Sequence, residues 1–339
     1  MLETIVCCPV TRSPLIRDGN WLTSAEGRRY PVVHGVPVLL APKEDRTLWV
    51  ADASITAGQE NAEDPWQLET IGVSSEELVE LRKQVANFNP DKDTDPVISF
   101  LIGATAGYLY VDKIGSLQSI PIPDIRLPKS DGNLLLDIGC NWGRWSISAG
   151  RLGYQVVGMD PSLGAVLAAK RLAQKMNLPN VQFVVGDATQ LPFRNAVFDQ
   201  IFSYSVIQHF SYEAAEAAIN QAATVSKPGG RLYIQMPNTL GIRCLYHQAR
   251  RGFKAASDFD VRYYTPTHLL RVFDRSFGPS RLEIDGFFGL GIQPSDLHMM
   301  PWKNRLIIRT SELLRSMGRV VTPLKLVADS LYVSSTRRT

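Results

Sequence analysis

The sequence has no hydrophobic run long enough to cross a membrane and almost no excess of charge of either sign. Its longest apolar stretches, such as LLLDI and VVGM, are of strand length, far short of the ~20 residues that a membrane helix needs. The formal net charge is only +3, which makes nucleic acid an improbable partner. The N-terminal MLETIVCCPV lacks the basic and long apolar regions of a signal peptide.

Cysteine is also scarce. The four cysteines are too few for a disulfide framework in a chain of 339 residues, so we expect a reducing, cytoplasmic location. With 45% hydrophobic and 20% charged residues, the composition is that of an ordinary globular protein. The length allows one large domain with an appendage, or two domains. No internal repeat is visible, and the sequence leaves the oligomeric state open.

From residue 133 to about residue 236, apolar strand patterns alternate with amphipathic helix patterns over short connections. Such alternation is typical of a parallel sheet covered by helices. We therefore predict an α/β fold: a Rossmann-like, seven-stranded, mostly parallel sheet with helices on both faces and a small N-terminal β-rich domain. The seven predicted strands are 134–138, 155–159, 181–185, 199–203, 231–236, 281–287 and 331–336.

The first of these strands ends in LLLDIGCNWGRW, residues 134–145, which is a strand, a tight glycine turn and a helix. A dinucleotide-binding turn has the spacing G-x-G-x-x-G, and this turn does not fit it. Asp137 also places a carboxylate at the ligand end of the strand. A carboxylate is a poor neighbour for a phosphate and a good one for an ammonium group, so the turn favours a cationic ligand without phosphate.

The pattern Asp-x-Gly-x-x-x-Gly at a strand end resembles the first motif of the class I S-adenosylmethionine-dependent methyltransferases. Later strand ends resemble the following motifs of that family in order. The resemblance implies that S-adenosylmethionine is the cofactor, with ribose hydroxyls on Asp160 and the adenine on Asp187, Ala188 and Tyr204. The implied cofactor-binding residues are Asp137, Gly139, Cys140, Asn141, Gly143, Asp160, Pro161, Asp187, Ala188 and Tyr204.

The first motif departs from the family pattern at Asn141, where the family usually has glycine. Asparagine tolerates a positive φ better than most residues, so we expect the turn to survive. Trp142 is expected to point away from the cofactor into the helix packing. Cys140 is interpreted as a small buried residue and not as a nucleophile.

Three residues are candidates for the acceptor side of the site. His209 follows the fourth predicted strand, and an imidazole suits a general base at neutral pH. It could equally cap or pack the start of the next helix. Tyr263 and Tyr264 resemble the family's aromatic pair over the acceptor cleft, although they could simply fill core. Tyr108 and Tyr110 could close over the methionine end of the cofactor.

The N-terminal CCPVTRSPL…RRYPVVHGVPVLL resembles the zinc-ribbon-like domain that is sometimes fused to methyltransferases. The full form has two C-x-x-C pairs, whereas here Cys8 is followed by Thr11 and the second pair falls at Ser24 and Gly27. We therefore predict a degenerate domain at 1–45 without a metal. A helical linker at 46–104 and a methyltransferase domain at 105–339 complete the predicted organisation.

A basic helix is predicted at 303–319, with Leu306, Leu313, Leu314 and Met317 on one face. Such helices sometimes lie on membranes, but we favour a solvated basic face on a helix that caps the acceptor site. This helix belongs to a predicted insertion at 290–328. Peripheral membrane contact is the alternative.

Taken together, these patterns predict a methyltransferase that acts on a small-molecule or lipid-linked acceptor by in-line displacement. One alternative is a tRNA or translation-factor methyltransferase, which the N-terminal domain suggests and the low net charge does not support. A second is a protein that binds S-adenosylmethionine without catalysis. A nicotinamide-dependent dehydrogenase is disfavoured by the glycine spacing.

Overall fold

The computed structural model describes residues 1–41, 49–105, 120–257, 259–288 and 293–338. Tyr108 and Tyr110 lie outside these ranges. The chain divides into two compact units, Met1–Val197 and Phe198–Thr339, which are described one at a time.

The first unit contains the following elements in the described residues. Its strands are β1 (Leu15–Asp18), β2 (Trp21–Ser24), β3 (Arg29–Val33), β4 (Val36–Leu39), β5 (Leu134–Ile138), β6 (Gln155–Asp160) and β7 (Val181–Gly186). Its helices are α1 (Leu2–Ile5), α2 (Trp49–Glu60), α3 (Ser75–Ala86), α4 (Pro96–Thr105), α5 (Arg144–Arg151) and α6 (Leu163–Lys175). A short 3₁₀ turn at Leu68–Thr70 lies between α2 and α3.

The strands of the first unit are hydrogen-bonded in the order β1-β2-β3-β4-β7-β6-β5. The N-terminal strands pair antiparallel, whereas β4, β7, β6 and β5 pair in parallel. Val38 and Leu39 of β4 lie opposite Val185 and Gly186 of β7. The N-terminal strands therefore extend the sheet that carries the candidate site. The boundaries 1–45, 46–104 and 105–339 stay predictions.

The parallel strands form where the sequence has runs of aliphatic residues. Such strands are buried on both faces, and β5 and β7 are buried along almost their whole length. The helices begin at local signals in the sequence. The hydroxyl of Ser162 accepts a hydrogen bond from the N–H of Ala165 at the start of α6, and Ser74 and Glu77 form a capping box at α3.

The second unit contains the remaining predicted strands. Its strands are β8 (Phe198–Ser203), β9 (Ser226–Pro237), β10 (Ser280–Gly286) and β11 (Ser330–Thr336). They are ordered β8-β9-β11-β10, parallel in the first pair and antiparallel in the other two. Its helices are α7 (Tyr212–Val225), α8 (Ile242–Arg250), α9 (Pro266–Ser276), α10 (Trp302–Met317) and α11 (Leu324–Val327).

All seven predicted strands are present, and the predicted α/β class with a mostly parallel sheet and an N-terminal β-rich region is confirmed. Helices α7 and α9 are capped by residues next to them in the sequence, because the Ser211 and Thr265 hydroxyls accept first-turn N–H groups. Within the described ranges, no helix combines the length and apolar character needed to cross a bilayer.

Helix α10 differs from its prediction. The expected outward face was basic and solvated, with the leucines and Met317 on a face of their own. In the structure Leu306, Leu313 and Met317 are exposed, while Ile308 and Ser311 are the buried residues. The solvent-facing side of this helix therefore carries apolar side chains, with basic residues around them.

Candidate functional site

The turn after β5 is held by hydrogen bonds from its backbone N–H groups to acceptors within the protein. Gly139, Asn141 and Gly143 adopt positive φ angles of 74°, 47° and 82°. The N–H groups of Gly139 and Cys140 both donate to the carbonyl of Met159 in β6, at 2.7 and 3.0 Å. The N–H of Gly143 donates to the carbonyl of Cys140 at 2.8 Å, which closes the turn. Asparagine at position 141 therefore supports the turn, as expected for a residue that tolerates positive φ.

The two remaining N–H groups of the turn are also engaged inside the protein. The N–H of Asn141 donates to Asp160 Oδ2 at 3.0 Å, and the N–H of Trp142 donates to Asn141 Oδ1 at 2.8 Å. A dinucleotide fold holds its pyrophosphate on the N–H groups of this turn and helix start. Because the five N–H groups of residues 139–143 all have internal acceptors, the turn itself offers none of them to a phosphate.

Asp160 lies at the end of β6 with 9% of its surface exposed. Its Oδ2 accepts from Asn141, as described, and its Oδ1 accepts from the N–H of Ser162 at 3.0 Å. A carboxylate has about four acceptor positions, so these two bonds leave about two for a ligand. Burial raises the pKa of Asp160 to about 6, against the lowering effect of the two backbone hydrogen bonds.

Asp137 is more deeply buried, with 1% of its surface exposed. Its Oδ2 accepts a hydrogen bond from the Ser146 hydroxyl at 2.6 Å. Burial raises the pKa of Asp137 to about 7, and the negative charge of Asp160 adds to this effect. Two neighbouring buried carboxyls with raised pKa values form a site that a cationic ligand would stabilise in the ionised form.

The other predicted residues of the first unit differ in their burial and in their hydrogen bonds. Asp187, which follows β7, is half-buried, and its Oδ1 accepts from the N–H and the hydroxyl of Thr189, both at 2.7 Å. Ala188 beside it is buried. Cys140 is buried with a pKa well above the usual thiol value, and Trp142 is among the largest fully buried side chains. The expected burial of Cys140 and Trp142 is confirmed, whereas the interpretation of Cys140 as a packing residue stays a prediction.

Two hydroxyls that the sequence analysis missed hold the start of α6 beside Asp160. Ser54 of α2 donates to the carbonyl of Pro161 at 2.8 Å and accepts from the N–H of Leu163 at 3.0 Å. Thr70 accepts from the N–H of Gly164 at 2.7 Å. Both side chains are fully buried, although each comes from the predicted linker. Nothing in the local sequence identifies them, because the contacts span more than 90 residues.

In the second unit, His209 ends a 3₁₀ turn at Ile207–His209. Its Nδ1 lies 2.7 Å from the carbonyl oxygen of Phe259, and its ring stacks on that of Phe259 with centroids 4.1 Å apart. A carbonyl can only accept, so Nδ1 carries the proton and Nε2 bears the lone pair in the neutral ring. Gln208 Nε2 lies 3.2 Å from that Nε2. Burial lowers the pKa of His209, which keeps the imidazole neutral at pH 7.

Tyr204 follows β8 and is buried. Its hydroxyl donates to Asp285 Oδ2 at 2.9 Å, and Asp285 Oδ2 also accepts from the Ser330 hydroxyl at 2.7 Å. Gln235 Nε2 donates to Ser330 Oγ, while Gln235 Oε1 accepts from the N–H and hydroxyl of Ser205. No motif in the sequence predicted this network. Its signal was the presence of polar residues inside the apolar runs LYIQM and LEID.

Tyr263 and Tyr264 occupy different environments. Tyr263 is half-buried beneath the guanidinium of Arg251, whereas Tyr264 is buried. Tyr264 lines a cavity of about 290 Å³ between α7 and α9, together with Tyr212 and His268. Its ring meets theirs edge to face, at centroid distances of 5.1 and 5.5 Å. Within the described ranges its hydroxyl has no hydrogen-bond partner.

The N-terminal turns are joined by hydroxyl and carboxylate groups. Cys8 Sγ lies 3.1 Å from the Tyr30 hydroxyl, and the N–H of Thr11 donates to Cys8 Sγ at 3.4 Å. The hydroxyls of Thr11 and Ser13 both donate to Glu26 Oε2. In the part of the chain that the structure describes, no three His, Cys, Asp or Glu side chains are grouped to hold a metal ion.

Comparisons with known proteins identify the region that carries the first motifs. Residues 135–230 match a family model described as "Methyltransferase domain". The chain is 30% identical over 151 residues to a ubiquinone biosynthesis O-methyltransferase of Nitrobacter winogradskyi, covering 43% of this chain and 56% of that protein. It is 34% identical over 103 residues to a demethylmenaquinone methyltransferase of Beutenbergia cavernae, covering 30% and 40%.

A third relative is the O-methyltransferase cnsE of Penicillium expansum, 34% identical over 112 residues, covering 32% of this chain and 40% of that protein. The chain thus spans between two fifths and somewhat more than half of the length of these relatives. Three observations support the same kind of cofactor site: the carboxyls at the strand ends, the glycine turn whose N–H groups are bonded within the protein, and the family match. Residues 135–230 are therefore similar to a methyltransferase domain, in agreement with the motifs at the strand ends.

Proposed function

We propose that this protein transfers the methyl group of S-adenosylmethionine to an oxygen atom of a small-molecule acceptor. The observation that carries the proposal is the turn at 139–143, whose N–H groups are all engaged internally beside two buried carboxyls. This arrangement disfavours a phosphate and suits a ligand that has an ammonium group and a sugar diol. A nicotinamide dinucleotide has ribose diols but no ammonium group, and it carries the pyrophosphate that this turn disfavours.

Three carboxylates are proposed to hold the cofactor. Asp137 would face the ammonium group, Asp160 would accept from the ribose hydroxyls with its remaining lone pairs, and Asp187 would accept from the adenine amino group. When bound, the cofactor supplies a methyl group already activated by the positive sulfonium. The protein then has to hold the acceptor atom about 3–3.5 Å away and in line.

The acceptor side of the proposal rests on His209 and on the relatives. Two of the three relatives are named as O-methyltransferases, and two are named for quinone compounds. A hydroxyl acceptor must lose a proton. The neutral imidazole of His209 has its lone pair at Nε2, and it is suited to take that proton once the acceptor replaces Gln208 Nε2 as its partner. The proposed acceptor class is therefore a hydroxylated small molecule, a lipid-linked one included, with cytoplasm as the proposed location.

The alternatives lead to different acceptors. A tRNA or translation-factor methyltransferase would label a macromolecule, and a non-catalytic protein would bind the cofactor without consuming it. Neither alternative is favoured by the relatives, which are named for small-molecule chemistry.

The test is to incubate the full chain with methyl-labelled S-adenosylmethionine and an extract of cells that lack this protein. The label should enter the small-molecule or lipid fraction, and the Asp160→Asn variant should leave that fraction unlabelled. Label in RNA or protein would overturn the acceptor class. Cofactor binding without any transfer would overturn the proposed activity.

A further inference from the structure

Helix α10 exposes apolar side chains on the side opposite to the one it buries. Trp302, Leu306, Leu313 and Met317, here named the α10 stripe, are exposed by 70%, 60%, 61% and 46%. At ~100° per residue, these four lie within about 60° of one another around the helix axis. The buried residues Ile308 and Ser311 lie on the far side of the helix. The stripe therefore plays no part in the core of its own unit.

Apolar exposure continues past the end of the helix. The N–H of Val321 donates to the carbonyl of Met317 at 2.8 Å, so the chain turns directly at the end of the stripe. Val320 and Leu326 in this segment are both exposed. Asn238 Nδ2 donates to the carbonyl of Leu326 at 2.8 Å, which holds this segment in place. Several exposed apolar side chains grouped on one helix face are uncommon unless that face binds something.

Positive charge surrounds the stripe. Exposed basic side chains are Lys303, Arg305, Arg309 and, after the helix, Arg319. The acidic residue within α10 is Glu312, and it is paired with Arg315 at 2.7 Å. Among the residues that the structure describes, the four exposed basic side chains form no ion pair. Arg309 lies within about 20° of Trp302 around the axis, so charge and apolar surface share one face.

This combination points to one kind of partner. A bilayer with anionic headgroups offers phosphates to the cations and acyl chains to the apolar side chains at the same depth. Tryptophan beside lysine is typical of residues at such an interface. An acidic protein groove would have to match both the stripe and the surrounding charges in shape, whereas a lipid surface adapts to them.

We propose that α10 and the turn after it dock this protein on the surface of an anionic phospholipid membrane. Trp302, Leu306, Leu313 and Met317 enter the boundary between headgroups and acyl chains. Lys303, Arg309 and Arg319 bind phosphates. This surface would act whether or not the proposed methyl acceptor is itself lipid-linked, so its test needs no acceptor.

The test is co-sedimentation of the full chain with lipid vesicles. One set is phosphatidylcholine alone, and the other contains roughly one third phosphatidylglycerol, which is anionic. The chain should bind the anionic vesicles at least about tenfold more tightly than the neutral ones, and added salt should weaken that binding. Equal binding to both sets would overturn the role of the basic residues.

Two pairs of variants separate the stripe from general surface effects. Leu306→Ser with Leu313→Ser should reduce binding by about tenfold or more, whereas Val79→Ser, at an exposed apolar position of α3, should not. Arg309→Glu should weaken binding to anionic vesicles, whereas Lys129→Glu on an exposed loop should not. Circular dichroism and thermal unfolding verify that each variant is folded.

Two results would overturn the proposal. The first is vesicle binding by the double leucine variant that equals that of the unchanged chain. The second is a chain that binds neither vesicle set but forms a dimer, which Leu306→Ser and Leu313→Ser dissociate. In that case a second copy of the chain would cover the stripe. Light scattering distinguishes this second result.

Discussion

The strand ends of the first unit and the outer helix of the second unit offer different chemistry to a ligand. The first unit turns its backbone N–H groups inward and presents the oxygens of Asp137 and Asp160. The second unit presents the apolar carbon and cations of α10. The first suits one small cation with hydroxyls, whereas the second suits an extended surface. Variants of Asp137 and Asp160 should therefore leave vesicle binding unchanged, and variants of the α10 stripe should leave cofactor affinity unchanged.

The largest expected effect is at Asp160. Asp160→Asn replaces one acceptor oxygen by a donor that faces a backbone N–H, and it also weakens the proposed ribose contacts. We expect affinity for S-adenosylhomocysteine to fall by about a hundredfold or more, measured by titration calorimetry. The matched control is Asp187→Asn at a half-buried position, for which we expect about tenfold. Equal, small losses for both would contradict the assigned roles.

Variants of His209 in the second unit distinguish a catalytic role of this residue from a packing role. His209→Asn keeps a side-chain donor for the Phe259 carbonyl but removes the base. If His209 is the base, the rate of methyl transfer should fall by about a hundredfold with cofactor affinity unchanged. His209→Ala should then be equally slow. A normal rate in His209→Asn together with a slow His209→Ala would assign the residue to packing instead.

Gly143 tests how tightly the first unit holds its turn. A Cβ at Gly143 would lie 2.9 Å from the Ala169 Cβ, whereas one at Gly132 would meet nothing within 4 Å, and both residues have positive φ. Gly132→Ala should therefore lower the free energy of unfolding by about 1 kcal/mol, and Gly143→Ala by about 3 kcal/mol, because of the added clash. Denaturant titration measures both. Equal losses for the two variants would mean that α6 moves away from the added Cβ without a cost in stability.

The smallest expected effect is a pH dependence confined to the first unit. Asp160 and Asp137, with pKa values of about 6 and 7, must ionise to hold a cationic ligand. Affinity for S-adenosylhomocysteine should rise by about tenfold between pH 5.5 and 7.5. Asp137→Asn should flatten this rise. An affinity that does not change with pH in the unchanged protein would contradict the burial of these carboxyls.

The same carboxyls affect stability with the opposite sign. Each has a folded-state pKa above the ordinary value of 3.8, so the folded state binds protons more tightly than the unfolded state. The free energy of unfolding of the ligand-free protein should therefore fall as pH rises from about 4 to about 7. Thermal unfolding over this range, with vesicle binding as the second-unit readout, would show whether the effect stays in one unit.

The first unit could be predicted well because its information is local. LLLDIGCNWGRW places an apolar strand, a carboxyl and positive-φ residues within twelve positions, and the structure has each of them there. Ser162, Ser211 and Thr265 are caps for equally local reasons. The contacts of Ser54 and Thr70 with α6 could not be predicted, because they join segments that only the folded chain brings together.

The sequence shows the basic and apolar residues of 302–317, but it does not show which side of their helix faces the core. Periodicity gives the angle between residues on a helix and says nothing about which side meets the core. The structure buries Ile308 and Ser311 and leaves the α10 stripe outside. The polar network around Tyr204 was hidden for a related reason, since its members come from four separate strands or strand ends.

The sequence by itself determined the order of strands and helices, the caps, and the carboxyls at the strand ends, because hydrophobic period and turn chemistry act between near neighbours. The tertiary structure alone decided that the 139–143 turn satisfies its own N–H groups, that Ser54 and Thr70 hold α6, and that α10 turns its apolar side outward. Each of these depends on contacts between segments that are far apart in the sequence. Such contacts form only when the chain has packed.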